Sequence, residues 1–126
     1  MSSRVVLLVE DEALILMDIE AALVNEGFQV VTAINGSKAV EAFEADPMSI
    51  SAVVTDINLG KEPNGWNLAR QIRQQKPEMP IVYMTGDSSH EWEAEGVPKS
   101  VLIPKPFVHA QVITALATLM SHSSQA

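Results

Sequence analysis

Short runs of Val, Ile and Leu recur along the chain, separated by turns and by segments with helical periodicity. The runs are apolar at consecutive positions, which is typical of strands buried on both faces of a parallel sheet. The predicted strands are residues 4–9, 28–33, 52–55, 81–84 and 101–103. Helices are predicted for residues 13–26, 37–45 and 66–75, with a weak helix at 89–95 and a last helix whose inner face carries Val108, Val112, Ala115 and Leu119.

Strands that alternate with helices form right-handed crossovers, so the sheet is parallel and carries helices on both faces. We therefore expect a doubly wound α/β fold with five parallel strands and a short or irregular fourth helix. A chain of 126 residues suits one domain. We place this domain at residues 1–120 and predict a disordered tail over residues 121–126.

Charge and composition argue against several classes of protein. The formal net charge of −8 repels nucleic acid, because DNA binding depends on Lys and Arg that neutralise phosphates. The sequence has no cysteine, and its three histidines are too scattered to indicate a metal cluster. It shows no signal peptide and no apolar run near the roughly 20 residues of a membrane-spanning helix, so we expect a cytoplasmic protein.

Polar residues follow four of the predicted strands at their carboxyl ends, namely Asp11, Asp56, Thr85 and Lys105. Ligands of open α/β sheets bind at this edge, where the strand order reverses. Glu10, Asp11 and Asp56 would repel one another there unless a cation neutralises them, and their oxygen ligands favour Mg²⁺. The acidic residues 10–12 are also a favourable helix start, so the acidic pair alone would not establish a metal site.

Two further residues strengthen this interpretation. Lys105 lies between two prolines that restrain the backbone, and its bond to the second proline is a candidate for the cis form. Its ammonium can pair with Asp56 or with a phosphoryl oxygen. Thr85 offers a hydroxyl donor, and Gly86 beside it leaves space for a bulky phospho-donor.

Together these residues resemble the receiver domains of response regulators in two-component systems, and the resemblance covers residues 4–119. The matching positions are Glu10 and Asp11 for the metal-binding pair, Asp56 for the phosphoacceptor, Thr85 for the switch hydroxyl and Lys105 for the invariant lysine. The resemblance also implies that Asn58 offers its backbone carbonyl to the metal and that Gly65 opens the third helix. The implied fold is the flavodoxin-like receiver fold.

By this resemblance, Asp56 accepts a phosphoryl group from a sensor histidine kinase or a histidine phosphotransfer protein, aided by Mg²⁺, Thr85 and Lys105. The domain then signals by conformational change and does not act as an enzyme on an external substrate. Since no output domain follows in the sequence, we expect a single-domain response regulator with a downstream protein partner. A homodimer is a further candidate, whereas nucleic acid and membranes are not expected as partners.

Three departures from the family pattern stand out. Leu102 occupies the position, three residues before Lys105, where most receivers carry Tyr or Phe. Pro98 stands in place of a sustained fourth helix, and Gly60 replaces a common proline in a loop with an apparent one-residue insertion. These features resemble the receivers of general-stress-response regulators and of a related class of sensor kinases. Without the aromatic ring, we expect the signal to travel through the backbone of residues 86–98.

Two other functions share parts of this pattern. A phosphohydrolase with an aspartyl-phosphate intermediate also places its nucleophile after a parallel strand, but it normally needs a second Asp where Asn58 stands. A degenerate receiver would dock to partners without being phosphorylated, an alternative that Leu102 leaves open. Phosphoryl uptake from a small donor separates these functions.

Overall fold

The protein folds around one sheet of five parallel strands. The computed structural model describes residues 4–86 and 92–124. The strands are β1 (Val5–Val9), β2 (Gln29–Ala33), β3 (Ala52–Asp56), β4 (Ile81–Thr85) and β5 (Ser100–Pro104). The helices are α1 (Ala13–Asn25), α2 (Gly36–Ala45), α3 (Gly65–Gln75), α4 (Trp92–Glu95) and α5 (His109–Ser124), with a 3₁₀ turn at Pro47–Ser49. The strand order is β2-β1-β3-β4-β5, which confirms the doubly wound α/β fold.

Each face of the sheet carries its own apolar core, because successive residues of a strand point to opposite faces. Leu7 and Val9 of β1 belong to one core, whereas Val6 and Leu8 belong to the other. Buried side chains of α2 and α3 complete the first core, and those of α1 and α5 complete the second. Burial on both faces therefore explains why the strands are apolar at consecutive positions.

Local signals in the sequence account for several helix ends. Gly27 follows α1 with a φ of +99°, a conformation that glycine adopts without strain. The side chain of Asn35 accepts a hydrogen bond from Lys38 N at 2.8 Å at the start of α2. The side chain of Asn64 caps α3 in the same way, accepting from Asn67 N at 2.9 Å. Each of these asparagine caps contributes about 1 kcal/mol to stability.

The fourth and fifth helices differ in part from the prediction. α4 covers the second half of the weak helix predicted at residues 89–95, and residues 89–91 lie outside the described part of the chain. α5 runs to Ser124 and so includes residues 121–124, which the sequence analysis assigned to the tail. Within residues 4–86 and 92–124, no helix combines the length and the apolar content that crossing a membrane requires.

The prediction that Val108 lies on the inner face of the last helix was wrong. Val108 is 64% exposed and precedes α5. Its N–H donates to Gln111 Oε1 at 2.9 Å, so it occupies the capping position of the helix and not its apolar stripe. The buried residues of the inner face are Val112, Ala115, Leu116 and Met120.

Gly65, the first residue of α3, lies against the end of β3. A Cβ atom at this position would lie 2.7 Å from Ile57 Cα and 3.1 Å from the carbonyl carbon of Asp56. Neither backbone atom can yield without shifting β3, so Gly65→Ala should lower the free energy of unfolding by about 1–3 kcal/mol. Gly86→Ala is the matched control, because a Cβ atom there would meet no heavy atom within 4 Å among residues 4–86 and 92–124. Equal urea midpoints for wild type and Gly65→Ala would contradict this close approach.

Candidate functional site

The strand order reverses between β1 and β3, and the three acidic candidate residues lie at the carboxyl ends of these two strands. β1 pairs with β2 on one side and with β3 on the other. Glu10 and Asp11 follow β1 directly, and Asp56 is the last residue of β3. The crossovers that leave these two strands diverge, which opens a cleft at this edge of the sheet. The fold therefore brings the three acidic residues together.

The three carboxylates form a compact cluster. One carboxylate oxygen from each of Glu10, Asp11 and Asp56 lies within 4.8 Å of the other two. Glu10 is fully buried and Asp56 is 6% exposed, whereas Asp11 is exposed. Oxygen ligands of this kind suit a hard divalent cation, and the exposed carboxylate gives such an ion access from solvent. The residues present therefore fit the metal site that the sequence predicted.

The ammonium of Lys105 lies between the two buried carboxylates. Its Nζ is 3.1 Å from Asp56 Oδ2 and 3.3 Å from Glu10 Oε1. Lys105 N also donates to Thr85 O at 2.6 Å, which holds the start of the following loop against β4. The peptide bond between Lys105 and Pro106 is cis, the form for which the sequence made it a candidate. The pairing with Asp56 was anticipated from the sequence, but the contact with Glu10 was not.

Backbone N–H groups bind the remaining oxygens of the buried acids. Asp56 Oδ1 accepts a hydrogen bond from Ile57 N at 2.7 Å. Glu10 Oε2 accepts one from Glu12 N at 3.1 Å. Hydrogen bonds to a charged acceptor are roughly twice as strong as neutral ones, so both carboxylates are held in a defined orientation.

Burial and mutual repulsion shape the protonation of the site. Burial raises the pKa of Glu10 to about 7, and the charge of Asp56 adds to the rise. The N–H of Glu12 and the ammonium of Lys105 oppose this shift without cancelling it. Burial alone would lower the pKa of Lys105, but its hydrogen bonds and charge interactions with Asp56 and Glu10 outweigh burial and raise it. Lys105 is therefore a cation at neutral pH.

The other predicted site residues lie at the same edge of the sheet. Thr85 is the last residue of β4 and is 1% exposed. Gly86 follows it and is exposed, and a Cβ atom there would meet no heavy atom of the described residues within 4 Å. Asn58 is exposed and lies two residues beyond Asp56 in the loop that leads to α3. The ends of β3 and β4 are thus each closely followed by an exposed residue at this edge.

Leu102 and Tyr83 are neighbours in the sheet. Leu102 is half-buried, packs against the core under α2 and α3, and pairs in register with Tyr83 of β4. Tyr83 is fully buried, its Oη accepts a hydrogen bond from Val97 N at 3.1 Å, and its ring meets that of Trp66 edge-on with centroids 4.7 Å apart. Sequence reasoning missed this residue, although a single tyrosine in an aliphatic strand was an available signal.

Comparison with known proteins identifies the family. The model of the response regulator receiver domain matches residues 6–117. The chain belongs to this family. A response regulator receiver protein from Sinorhizobium medicae WSM419 has a similar solved structure, with a TM-score of 0.93 and 41% identity over 97% of this chain and 98% of that chain.

Curated relatives of this receiver domain are longer proteins. A response regulator sequence of Rickettsia conorii described as NtrX-like is 33% identical over 119 residues, which are 92% of this chain and 25% of the relative. The transcriptional regulatory protein PrrA of Mycobacterium leprae is 30% identical over 122 residues, 94% of this chain and 51% of the relative. The chain thus spans about a quarter to a half of these relatives.

Family membership confirms two predictions. The fold is the flavodoxin-like receiver fold, and the chain is a receiver domain of the response regulator type, which is a signalling domain. The closer resemblance to general-stress-response receivers stays a prediction.

Glu10 should make the stability of this receiver domain depend on pH when no metal is bound. Its pKa is about 7 in the folded chain against an ordinary value of 4.5. Between these pH values the folded state keeps the proton that the unfolded state has lost, so the free energy of unfolding falls as the pH rises. The stabilising contribution of Glu10 to the folded state is therefore present in full below pH 4.5 and lost above about pH 7. We expect the free energy of unfolding to fall on the order of 2–3 kcal/mol across this window relative to Glu10→Gln.

Urea unfolding in the presence of a chelator at several pH values measures this difference. Glu12→Gln, which changes an exposed neighbouring acid, should follow the wild-type curve. Parallel stability curves for wild type and Glu10→Gln would show that Glu10 is not protonated in the folded chain at neutral pH.

Proposed function

We propose that Asp56 accepts a phosphoryl group from the phosphohistidine of a sensor histidine kinase or a histidine phosphotransfer protein, and that the resulting conformational change is the signal. The pairing of buried Asp56 with Lys105 at the point of strand-order reversal carries this proposal. The exposure of Asp11 and Gly86 at this edge supports access of a protein donor to the carboxylate. A nucleophile, a cation and an entry route thus meet at one edge of the sheet.

Asp56 acts as the nucleophile. One of its carboxylate oxygens attacks phosphorus in line, the bond from phosphorus to the donor histidine nitrogen breaks, and an acyl phosphate forms on Asp56. The ammonium of Lys105, 3.1 Å from Asp56 Oδ2, neutralises charge on the phosphoryl oxygens, and the hydroxyl of Thr85 donates to one of them. Hydrolysis of the acyl phosphate returns the carboxylate and resets the switch.

Glu10, Asp11 and Asp56 would hold Mg²⁺ together with the backbone carbonyl of Asn58. When bound, Mg²⁺ supplies positive charge that offsets the carboxylates and the phosphoryl oxygens. The raised pKa of Glu10 supports this assignment, because a buried acid that keeps its proton near neutral pH releases it when a cation takes its place. The receiver domain thus assists its own phosphorylation and dephosphorylation without acting on an external substrate.

The receiver domain, in this proposal, works as a single-domain response regulator in the cytoplasm and acts on a downstream protein partner. A formal net charge of −8 disfavours binding to the phosphate backbone of nucleic acid.

Asp56→Asn should abolish phosphorylation and leave the fold intact, because the amide is nearly isosteric with the carboxylate but is not a nucleophile. Intact mass after incubation with acetyl phosphate and Mg²⁺ measures uptake, and we expect a gain of one phosphoryl group in wild type and none in the variant. Asp18→Asn, which changes an exposed acid on α1, is the control and should be phosphorylated like wild type.

Other outcomes of this experiment favour the alternative functions. Uptake by Asp56→Asn would place the phosphoacceptor elsewhere, turnover of external phosphate esters would favour a hydrolase, and no uptake by wild type would favour a docking module. Urea unfolding in a chelator checks the fold of Asp56→Asn. Its midpoint should be no lower than that of wild type, because one of three mutually repelling carboxylates is removed.

Mg²⁺ should raise the thermal midpoint of the wild type, because it binds the folded state in preference to the unfolded one. The rise should grow with Mg²⁺ concentration, and Asp11→Ala should remove most of it. Glu12→Ala is the matched control, since it removes the same charge from an exposed residue next to the acidic cluster. The metal site would be contradicted by a wild-type thermal midpoint that does not change in millimolar Mg²⁺. It would also be contradicted if Asp11→Ala and Glu12→Ala reduced the Mg²⁺-dependent rise equally.

A further inference from the structure

A chain of polar contacts leads from the loop after Asp56 across α3 to α4. Glu62 in this loop accepts a hydrogen bond from Asn67 Nδ2 at 2.8 Å. Asn67 Oδ1 accepts one from Arg70 Nη1 at 2.7 Å. Arg70 Nη2 donates to the backbone carbonyl of Glu95 at 2.9 Å and pairs with the Glu95 carboxylate. We call Glu62, Asn67, Arg70 and Glu95 the polar relay.

Backbone hydrogen bonds connect the phosphoacceptor carboxylate to both ends of the loop, residues 57–65, that carries Glu62. Ile57 N donates to Asp56 Oδ1 at 2.7 Å, and Gly65 N donates to Ile57 O at 2.8 Å. Phosphorylation converts the carboxylate into an uncharged acyl group, so its oxygens become weaker hydrogen-bond acceptors. The bond from Ile57 then weakens, and the loop that carries Glu62 is free to rearrange.

The far end of the polar relay is a helix that depends on outside contacts. α4 has four residues, which are too few for a helix to be stable by itself. Val97 N donates to Tyr83 Oη at 3.1 Å, and Trp92 Nε1 donates to Ser100 Oγ at 3.0 Å. Arg70 binds the last carbonyl of α4, where a cation also interacts favourably with the helix dipole. Arg70 is therefore one of the contacts that hold α4 in place.

We propose that Arg70 is a positioning residue that couples phosphorylation of Asp56 to the position of α4 through the polar relay. The inference rests on the proposed function of Asp56. Leu102 on β5 provides no aromatic ring that could respond to phosphorylation at the site. The polar relay takes a different route, over α3. The side chains of Arg70 and Glu95 are 41% and 45% exposed, so their ion pair adds little to global stability. The ion pair of Arg70 with Glu95 acts instead on the coupling between the loop after Asp56 and α4.

Trp92 provides a readout at the far end of the polar relay. The chain has two tryptophans, and loss of one indole N–H signal in Trp92→Phe assigns the ¹H–¹⁵N spectrum. Beryllofluoride with Mg²⁺, a mimic of the acyl phosphate, should shift the Trp92 signal in the wild type. Asn67→Ala interrupts the polar relay without removing a contact to α4, and Arg70→Met removes the contact itself. Both variants should lose most of the shift.

Two variants on the same helix serve as controls. Gln71→Ala changes an exposed residue of α3 next to the polar relay. Arg73→Met removes the hydrogen bonds from α3 to the carbonyls of Pro98 and Lys99 and leaves the polar relay in place. Both should keep the wild-type shift. If Arg73→Met loses it as fully as Arg70→Met, general anchoring of this region and not the polar relay controls α4, and the inference is overturned.

Phosphoryl uptake from acetyl phosphate, measured by intact mass for every variant, separates two kinds of failure. No uptake in the wild type contradicts the proposed function of Asp56. Retained uptake with a lost Trp92 shift in both Asn67→Ala and Arg70→Met supports the coupling. The inference is overturned by a full shift in Asn67→Ala, by loss of uptake together with the shift, or by a wild type that is phosphorylated without any shift.

Discussion

The ammonium of Lys105 lies between two buried carboxylates, and the geometry of the site depends on this contact. Glu10 and Asp56 belong to the ends of neighbouring strands, whereas Lys105 follows the strand at the edge of the sheet. Burying an ionised carboxylate is costly unless a partner offsets the loss of hydration. Lys105 offsets part of this cost, but burial and the charge of Asp56 still keep the pKa of Glu10 raised. One ammonium thus does not balance the three carboxylates of the cluster. The site is thereby suited to bind a further cation.

The rigid sheet and the charged cluster serve different purposes in this receiver domain. Apolar cores on both faces hold the strands in register, and their carboxyl ends provide fixed positions for the acidic residues. Gly65 brings the start of α3 into close contact with the backbone of Asp56 and Ile57. A displacement of the backbone at Asp56 would therefore displace the start of α3 as well, because packed elements move as units and do not deform continuously.

Leu102 limits the routes by which a displacement at Asp56 can reach the surface of the domain. Its aliphatic side chain packs into the core, next to the aromatic ring of Tyr83 on the neighbouring strand. Burial raises the pKa of Tyr83, so its neutral hydroxyl remains available to accept the hydrogen bond from Val97 N. Contacts of Arg70 with Glu95 join the same region to α3. Polar contacts thus hold α4 and, just after it, Val97 against α3 and β4.

The residue pattern by itself determined the fold class, the five strands and the edge at which Asp11, Asp56, Thr85 and Lys105 lie. It did so because burial on both faces leaves consecutive apolar residues, and because parallel strands all end at one edge. The tertiary structure alone decided the distances across elements that are remote in sequence. The Lys105–Glu10 contact, the polar relay and the exposure of Val108 depend on crossover geometry, helix capping and side-chain packing, which periodicity does not encode.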